Sequence, residues 1–98
     1  MTQLHSAITQ DLGTALTELT AAGFTVESSE YDGGGSGNYV AEFVAPHAHY
    51  RIIRDRGEYL LDGPRDVLEP HDLWRAYESR TEFFKALHAF IANEKGGI

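Results

Sequence analysis

The chain has 98 residues, no cysteine and a formal net charge of −7. This length supports one compact core, so we expect a single domain over residues 1–98. The absence of cysteine excludes a disulfide framework, a thiolate zinc site and a cysteine nucleophile. The composition also suits a reducing cytosol, and we expect a cytoplasmic protein with neither a secretory signal nor a membrane-spanning segment.

The negative charge is concentrated in the first half of the chain. Residues 1–50 carry six acidic residues and no Lys or Arg, whereas residues 51–98 carry nine acidic residues against eight basic ones. Because nucleic-acid binding needs clustered cations, this balance argues against direct contact with nucleic acid or with anionic membranes. It favours a basic protein partner, through steering and charge complementarity. The alternative is that acidity only keeps a small domain soluble.

The first predicted element is a helix from about Leu4 to Ala22, because apolar residues recur at intervals of three and four. The residues on that apolar face are Leu4, Ile8, Leu12, Ala15, Leu19 and Ala22. Thr2 or Ser6 is the candidate N-cap. Asp11 and Glu18 lie off the apolar face, so we expect both carboxylates to be solvated.

Two glycines have different expected roles in this segment. Gly13 falls in the middle of the predicted helix, where it is unfavourable relative to Ala and is a candidate for close approach to a neighbouring sheet. Gly23 is the predicted helix stop, in a left-handed conformation that lets Phe24 return towards Leu19 in a Schellman-type end.

Four strands follow, each rich in β-branched and aromatic residues. They are predicted over Phe24–Tyr31, Asn38–Ala45, His47–Arg54 and Glu58–Asp62. The glycine-rich segment 33–37 is interpreted as a flexible hairpin connection, since no Gly-Lys-Ser/Thr follows it as a phosphate loop requires. Residues 54–57 form the predicted tight turn, with Gly57 at positive φ. A carboxylate such as that of Glu42 is unfavourable to bury. We therefore predict that the opposite side of the strand, with Tyr39, Ala41 and Phe43, faces the helices.

The last third of the chain is predicted to be helical. Pro70 precedes a short helix at about His71–Tyr77, which carries Trp74. Ser79 to Glu82 matches a capping box and opens a final helix at about Arg80–Asn93. The apolar face of this final helix consists of Phe83, Phe84, Leu87, Phe90 and Ile91.

The expected fold class is α+β: an N-terminal helix, a four-stranded antiparallel meander, then a short and a C-terminal helix. Packing all helices on one sheet face gives a two-layer sandwich. The other face is open, and its mixture of apolar and charged groups is typical of a protein interface. Its predicted residues are Thr25, Glu27, Ser29, Tyr31, Val40, Glu42, Val44, Arg51 and Ile53.

The sequence contains no catalytic motif that we identify, so we expect a non-enzymatic protein without a cofactor. His47 and His49 are two residues apart on one predicted strand, so their side chains share a face and are the candidate metal-binding pair. Exposed histidines without a metal are the simpler interpretation. Arg54 and Arg56 at a hairpin tip are a candidate site for an acidic group. The predicted partner-binding residues combine acidic side chains with aromatic anchors. They are Glu27, Glu30, Tyr31, Asp32, Glu42 and Trp74.

The central segment SGNYVAEFVAPHAHYRIIRDRGEYLLDG, residues 36–63, resembles small bacterial immunity proteins, the cognate inhibitors of polymorphic or contact-dependent toxins. The shared features are Gly-Asn entering a strand, a strand ending in Arg-Asp-Arg-Gly, and an aromatic-apolar strand. The resemblance implies a cytosolic inhibitor, monomeric or dimeric, that covers a basic toxin, often a nuclease. The alternatives are a phage-encoded inhibitor of a nucleic-acid-binding defence complex and a homodimeric secretion chaperone or adaptor.

Overall fold

The computed structural model describes residues 4–32, 37–46 and 48–96. Its helices are α1 (Ser6–Leu12), α2 (Thr14–Ala21), α3 (Arg65–Leu68) and α4 (Arg80–Gly96), with a 3₁₀ turn at Glu69–His71. Its strands are β1 (Thr25–Tyr31), β2 (Tyr39–Ala45), β3 (Ala48–Asp55) and β4 (Glu58–Asp62). The predicted α+β class is confirmed.

The four strands form an antiparallel meander in the order β1-β2-β3-β4, as predicted. The hairpin between β3 and β4 turns at Arg56 and Gly57, whose φ values are 54° and 81°. Two consecutive positive φ values match the right-handed twist of a two-residue hairpin, which explains the glycine at the second position. Strand pairing therefore begins directly at Asp55 and Glu58.

The core lies between the sheet and the helices, all on one face of the sheet. Tyr39, Ala41 and Phe43 of β2 are buried, as predicted from the placement of Glu42 on the other side of the strand. The predicted apolar faces of the first and last helices are buried too, apart from the half-buried Leu4 and Ala22. The largest fully buried side chains are Phe43, Phe83, Phe90, Ile8, Ile52, Leu68, Leu73, Leu87 and Ile91.

The prediction of one continuous N-terminal helix is wrong, because the helix is broken at Gly13. This residue has φ 55° and ψ −130°, a conformation that side chains with a Cβ rarely adopt. A Cβ at Gly13 would meet nothing closer than the Gln10 carbonyl at 3.9 Å, so the backbone conformation, rather than close approach, requires glycine. Ile8 and Leu12 before the break and Ala15 after it are all buried.

The ends of this helical segment are closed by backbone and histidine contacts. At the start, Nδ1 of His5 accepts a hydrogen bond of 3.0 Å from the Ala7 amide, so the N-cap is His5 rather than Ser6. The other candidate, Thr2, lies outside the described residues. At the end, the Phe24 amide donates to Leu19 O over 3.0 Å and Gly23 has φ 95°, which confirms the predicted Schellman end.

Strand β1 contains an irregularity that changes which side chains face the helices. Val26 pairs with Phe43, but Ser28 pairs with Glu42, so Glu27 is an extra residue on β1. Such a β-bulge shifts the alternation of every following side chain. The predicted placement of Ser29 and Tyr31 on the open face is therefore wrong, since they pair with the helix-facing Ala41 and Tyr39. Ser28 and Glu30 take the open positions instead.

The predicted helix at His71–Tyr77 is wrong. Helix α3 and the 3₁₀ turn end by residue 71, and Asp72 adopts the left-handed conformation with φ 59°. The chain then runs beside β4, where Tyr77 and Tyr59 exchange two backbone hydrogen bonds of 2.7 and 2.8 Å. This isolated bridge at Tyr77 satisfies backbone groups on the edge of β4, which a helix over the same residues would not do.

Helix α4 begins where the capping box predicted. The Glu82 amide donates to Ser79 Oγ over 3.2 Å, and the helix extends to Gly96, three residues beyond the predicted end. In the described part of the chain, no helix combines the length and apolar character needed to cross a bilayer.

Candidate functional site

The face of the sheet opposite the helices is the candidate site, and we call it the open face. Its residues follow from the strand register, because directly paired residues project on the same side. They are Thr25, Ser28, Glu30, Val40, Glu42, Val44, His49, Arg51, Ile53, Asp55, Glu58, Leu60 and Asp62. No helix among the described residues covers these side chains, so they are positioned to contact another molecule.

An aliphatic row crosses the open face from β2 to β4. Val40 pairs with Ile53, and Ile53 pairs with Leu60. All three residues are half-buried although no helix in the described ranges covers them. Glu30 pairs with Val40 at the β1 end of this row, so a carboxylate borders the apolar strip. Apolar anchors with a charged border are typical of protein interfaces.

A second row carries the charges. Glu42 lies between Ser28 on β1 and Arg51 on β3, and Arg51 pairs in turn with Asp62. Nε of Arg51 donates to Asp62 Oδ2 over 3.0 Å. This hydrogen bond raises the pKa of Arg51, and the nearby Glu42 adds a smaller contribution. The single guanidinium is therefore shared by two carboxylates, which leaves this row with excess negative charge.

Glu27 adds another carboxylate to the same side of the sheet. Its Oε2 atom lies 3.9 Å from Nδ1 of His49, and the two side chains are 51% and 73% exposed. An ion pair at this distance requires a protonated His49 and is weakened by solvent. Without counting His49, the carboxylates of Glu27, Glu30, Glu42, Asp55, Glu58 and Asp62 face the cation of Arg51, so the open face carries a net charge of −5.

A groove of about 390 Å³ lies at one end of the open face. It is lined by Glu30, Tyr31, Asp32, Asn38, Tyr39, Val40, Ile53, Arg54 and Asp55. A second, more enclosed cavity of about 310 Å³ adjoins it along Glu30 and Val40, and extends to Glu42 and Arg51. The two depressions thus follow the border between the aliphatic row and the carboxylates.

The structure brings together some of the predicted contact residues and separates others. Glu30 and Glu42 lie on the open face, with Glu27 beside them at the bulge. Asp32 follows β1 and lines the groove. These four acidic residues therefore form one region, although the residues do not all belong to a regular row.

Tyr31 does not belong to the open face. Its ring stacks on His5 with a centroid separation of 4.4 Å and an interplanar angle of 18°, next to the start of α1. The bulge at Glu27 is the cause, because it inverts the side-chain alternation at the end of β1. The predicted placement of Tyr31 on the open face is therefore wrong, and its role in partner binding stays a prediction.

Trp74 is exposed, as an anchor requires, but it lies elsewhere. It is 43% exposed and contacts Arg65, whose guanidinium carbon lies 5.7 Å from the indole ring. Trp74 belongs to the segment that pairs with β4 through Tyr77, whereas Glu27 and Glu30 belong to β1 at the opposite edge of the sheet. Trp74 and the acidic residues therefore do not form one contact surface.

A polar cluster on the helix side was missed by the sequence analysis. Asp11 Oδ2 accepts hydrogen bonds from the hydroxyls of Tyr39 and Tyr59, at 2.7 and 2.9 Å. Asp11 Oδ1 accepts from Nε of Arg80 at 3.1 Å, and the Asp11 carbonyl accepts from the same guanidinium. The expectation of a solvated Asp11 is therefore wrong, since its side chain is only 20% exposed. The Glu18 side chain remains exposed, as expected, although its Oε1 lies 2.7 Å from Nδ1 of His88.

The electrostatics of the Asp11 cluster indicate a structural role. Burial alone would raise the pKa of Asp11, but the hydrogen bonds from Tyr39, Tyr59 and Arg80 outweigh it and lower the pKa. Burial and the Asp11 carboxylate both raise the pKa values of Tyr39 and Tyr59. The carboxylate thus stays ionised and the phenols stay protonated, which preserves all the bonds that join α1, β2, β4 and α4.

The structure gives little support to the other candidate sites, which are the metal pair His47 and His49 and the cationic pair Arg54 and Arg56. His47 lies outside the described residues, and His49 faces Glu27. No group of three His, Asp or Glu side chains in the described ranges is arranged to hold a metal ion. Arg54 and Arg56 do not act as a pair at the hairpin tip, because Nη1 of Arg54 turns inward and donates to Gly37 O at 3.2 Å. Most of the glycine-rich loop, residues 33–36, is outside the described residues.

No protein family, curated protein or solved structure was found to match this chain.

Proposed function

We propose that this protein is a non-catalytic inhibitor that binds a basic protein partner through its open face, as an immunity protein does with its toxin. One observation carries the proposal: Glu27, Glu30 and Glu42 lie beside a half-buried aliphatic row on a sheet face without a helix. Such a face offers apolar contact area together with charge that selects a cationic partner.

The distribution of paired charges supports the same assignment. On the helix side, Asp11 is held by Arg80 and two tyrosines, and its charge is consumed within the fold. On the open face, Arg51 is the one cation opposite several carboxylates among the described residues. The open face is therefore where unbalanced negative charge is available to a partner. The proposal places the protein in the cytoplasm, where such an inhibitor would meet a nuclease-type toxin.

The test is site-specific photo-crosslinking in cells of the native host. A photoreactive residue replaces Val44, which pairs with Thr25 and His49 on the open face. The matched control carries the same residue at Thr17, an exposed position on α2. We expect a basic protein to crosslink from Val44 and not from Thr17, and the yield in extracts of the same cells to fall as salt is added. Equal crosslinking from both positions would contradict the proposal.

A homodimeric adaptor is the second candidate, and the aliphatic row of Val40, Ile53 and Leu60 is the observation that favours it. Two copies could bury these rows against each other, although their acidic residues would then be brought close together. The same crosslinking experiment separates the candidates, since a homodimer would give a product of twice the chain mass from Val44.

A further inference from the structure

The groove at the end of the open face combines two kinds of lining. Val40 and Ile53, which pair directly across β2 and β3, form an apolar floor. Glu30 stands beside Val40, and Asp55 lies two residues beyond Ile53 on the same side of β3. A volume of about 390 Å³ is near the lower end of the range for ligand pockets, roughly 300–1,000 Å³. It suits one long side chain better than a folded segment.

The negative charges that line the groove are only partly neutralised by other residues of the protein. The Glu30 carboxylate has no hydrogen-bond or ion-pair partner among the described residues. Asp55 accepts a hydrogen bond of 3.2 Å from the neutral amide of Asn38. Arg54 also lines the groove, but it donates to Gly37 O and its guanidinium carbon lies 5.7 Å from the Tyr59 ring on the helix side. Charge complementarity therefore calls for a cation at the rim.

An apolar floor with a carboxylate rim discriminates between classes of ligand. A bare metal ion gains nothing from Val40 and Ile53, and an aliphatic side chain gains nothing from Glu30. Lysine and arginine combine an aliphatic stem with a charged tip, and they bury the stem while keeping the tip in a polar environment. Both parts of the groove are used only by such a side chain.

We infer that this groove receives one lysine or arginine side chain of the protein partner. The stem lies on Val40 and Ile53, and the cation is held by Glu30 and Asp55. The inference rests on the proposed function, and adds to it the chemistry of the central contact. Glu30 then acts as a specificity-determining residue, because it sets the sign of the charge that the groove accepts.

The first test uses defined small probes on the isotope-labelled protein, followed by NMR. The probes are the N-acetyl methylamides of lysine, arginine, norleucine and glutamate. We expect saturable shifts at Val40 and Ile53 with the lysine and arginine probes, weak shifts with norleucine, and none with glutamate. Equal shifts with norleucine would overturn the inference, because the groove would then be only apolar. Displacement of the lysine probe by a second copy or by Ca²⁺ would overturn it too.

Two variants and a control complete the experiment. Glu30→Gln should weaken lysine binding about threefold to tenfold, as expected for the loss of one partly shielded ion pair. Val40→Phe fills the floor and should abolish the shifts at Ile53. The matched control, Glu94→Gln, removes the same charge from α4 on the helix side and should change nothing. A Glu30→Gln protein that retains a folded spectrum and full lysine affinity would contradict the inference.

Failure here differs from failure of the proposed function. If a basic partner crosslinks from Val44 but Glu30→Gln leaves its affinity unchanged, the open face is the interface and the groove is not its specific pocket. If no basic partner crosslinks from Val44, the inhibitor proposal itself fails, whatever the small probes do.

Discussion

The hydroxyl of Tyr39 donates a hydrogen bond of 2.7 Å to Oδ2 of Asp11, which joins the first helix of the chain to the second strand. The same oxygen accepts from Tyr59, and Arg80 completes the set from α4. One carboxylate thus connects four elements that are far apart in sequence. These bonds hold β2 and β4 of the sheet against α1 and α4.

Asp11→Asn should destabilise the protein. It replaces a charged acceptor by a neutral one in a half-buried site with three donors, which we expect to cost about 1–3 kcal/mol in the free energy of unfolding. Urea denaturation measures the change. Asp66→Asn, at an exposed position of α3, is the matched control and should stay within about 0.5 kcal/mol of the original protein. Equal stability of the two variants would show that the hydrogen bonds of Asp11 to distant parts of the chain do not stabilise the fold.

The stability difference between the original protein and Asp11→Asn should depend on acid pH. Burial opposes the charge of Asp11, but its hydrogen-bond donors win and the folded-state pKa lies below the usual value. The stabilisation by Asp11 is therefore fully present above the unfolded-state pKa of about 3.9, and is lost as pH falls through the lower folded-state pKa. Denaturation across the acid range should show the two stabilities converging. A constant difference would contradict this assignment.

Gly13→Ala distinguishes a broken helix from a continuous one. In a continuous helix the substitution would stabilise the protein by roughly 0.5–1 kcal/mol. With φ at 55° and ψ at −130°, we expect destabilisation by more than about 1 kcal/mol instead. Thermal unfolding gives the sign directly. Thr17→Ala, in the regular part of α2, serves as the control and should have a small effect.

Neutralising the open face should weaken partner binding without harming the fold. The triple variant Glu27→Gln, Glu30→Gln, Glu42→Gln removes three carboxylates that repel one another. Its stability should equal or slightly exceed that of the original protein, and its partner affinity and the salt dependence of that affinity should both fall. Binding measured at several salt concentrations tests both expectations.

The control for this triple variant has the same change in net charge. It carries Asp66→Asn, Glu78→Gln and Glu94→Gln, all at exposed positions outside the open face. If the control weakens binding as much as the triple variant does, the effect comes from total charge and the open face is not the interface.

Phe84→Ala should cost roughly 3–5 kcal/mol, the usual penalty for truncating a buried aromatic residue. Phe84 is 7% exposed and meets the rings of Tyr59 and Phe83 at centroid distances of 5.6 and 5.2 Å. Chemical denaturation provides the measurement. Trp74→Ala is the contrasting control, since Trp74 is 43% exposed and its removal leaves the core intact. A loss below about 1 kcal/mol for Phe84→Ala would show that the site collapses around the gap.

The sequence alone determined the local elements that depend on neighbouring residues. Alternation placed Tyr39, Ala41 and Phe43 on the buried side, and the bounds of β4 match their prediction. Gly23, Gly57 and the Ser79 cap were predicted because each turn or cap requires particular residues within a few positions. The acidity of the first half of the chain also follows directly from the sequence.

Only the tertiary structure decided the features that depend on distant partners. The bulge at Glu27 appears when β1 is aligned with β2, and it moves Tyr31 off the open face. The segment after the 3₁₀ turn is irregular rather than helical, and its Tyr77 bridges to Tyr59 of β4. Asp11 is half-buried and hydrogen-bonded because folding brings two phenols and Arg80 to it. Each of these features depends on hydrogen bonds to residues far away in the chain, and the spacing of neighbouring residues does not predict such bonds.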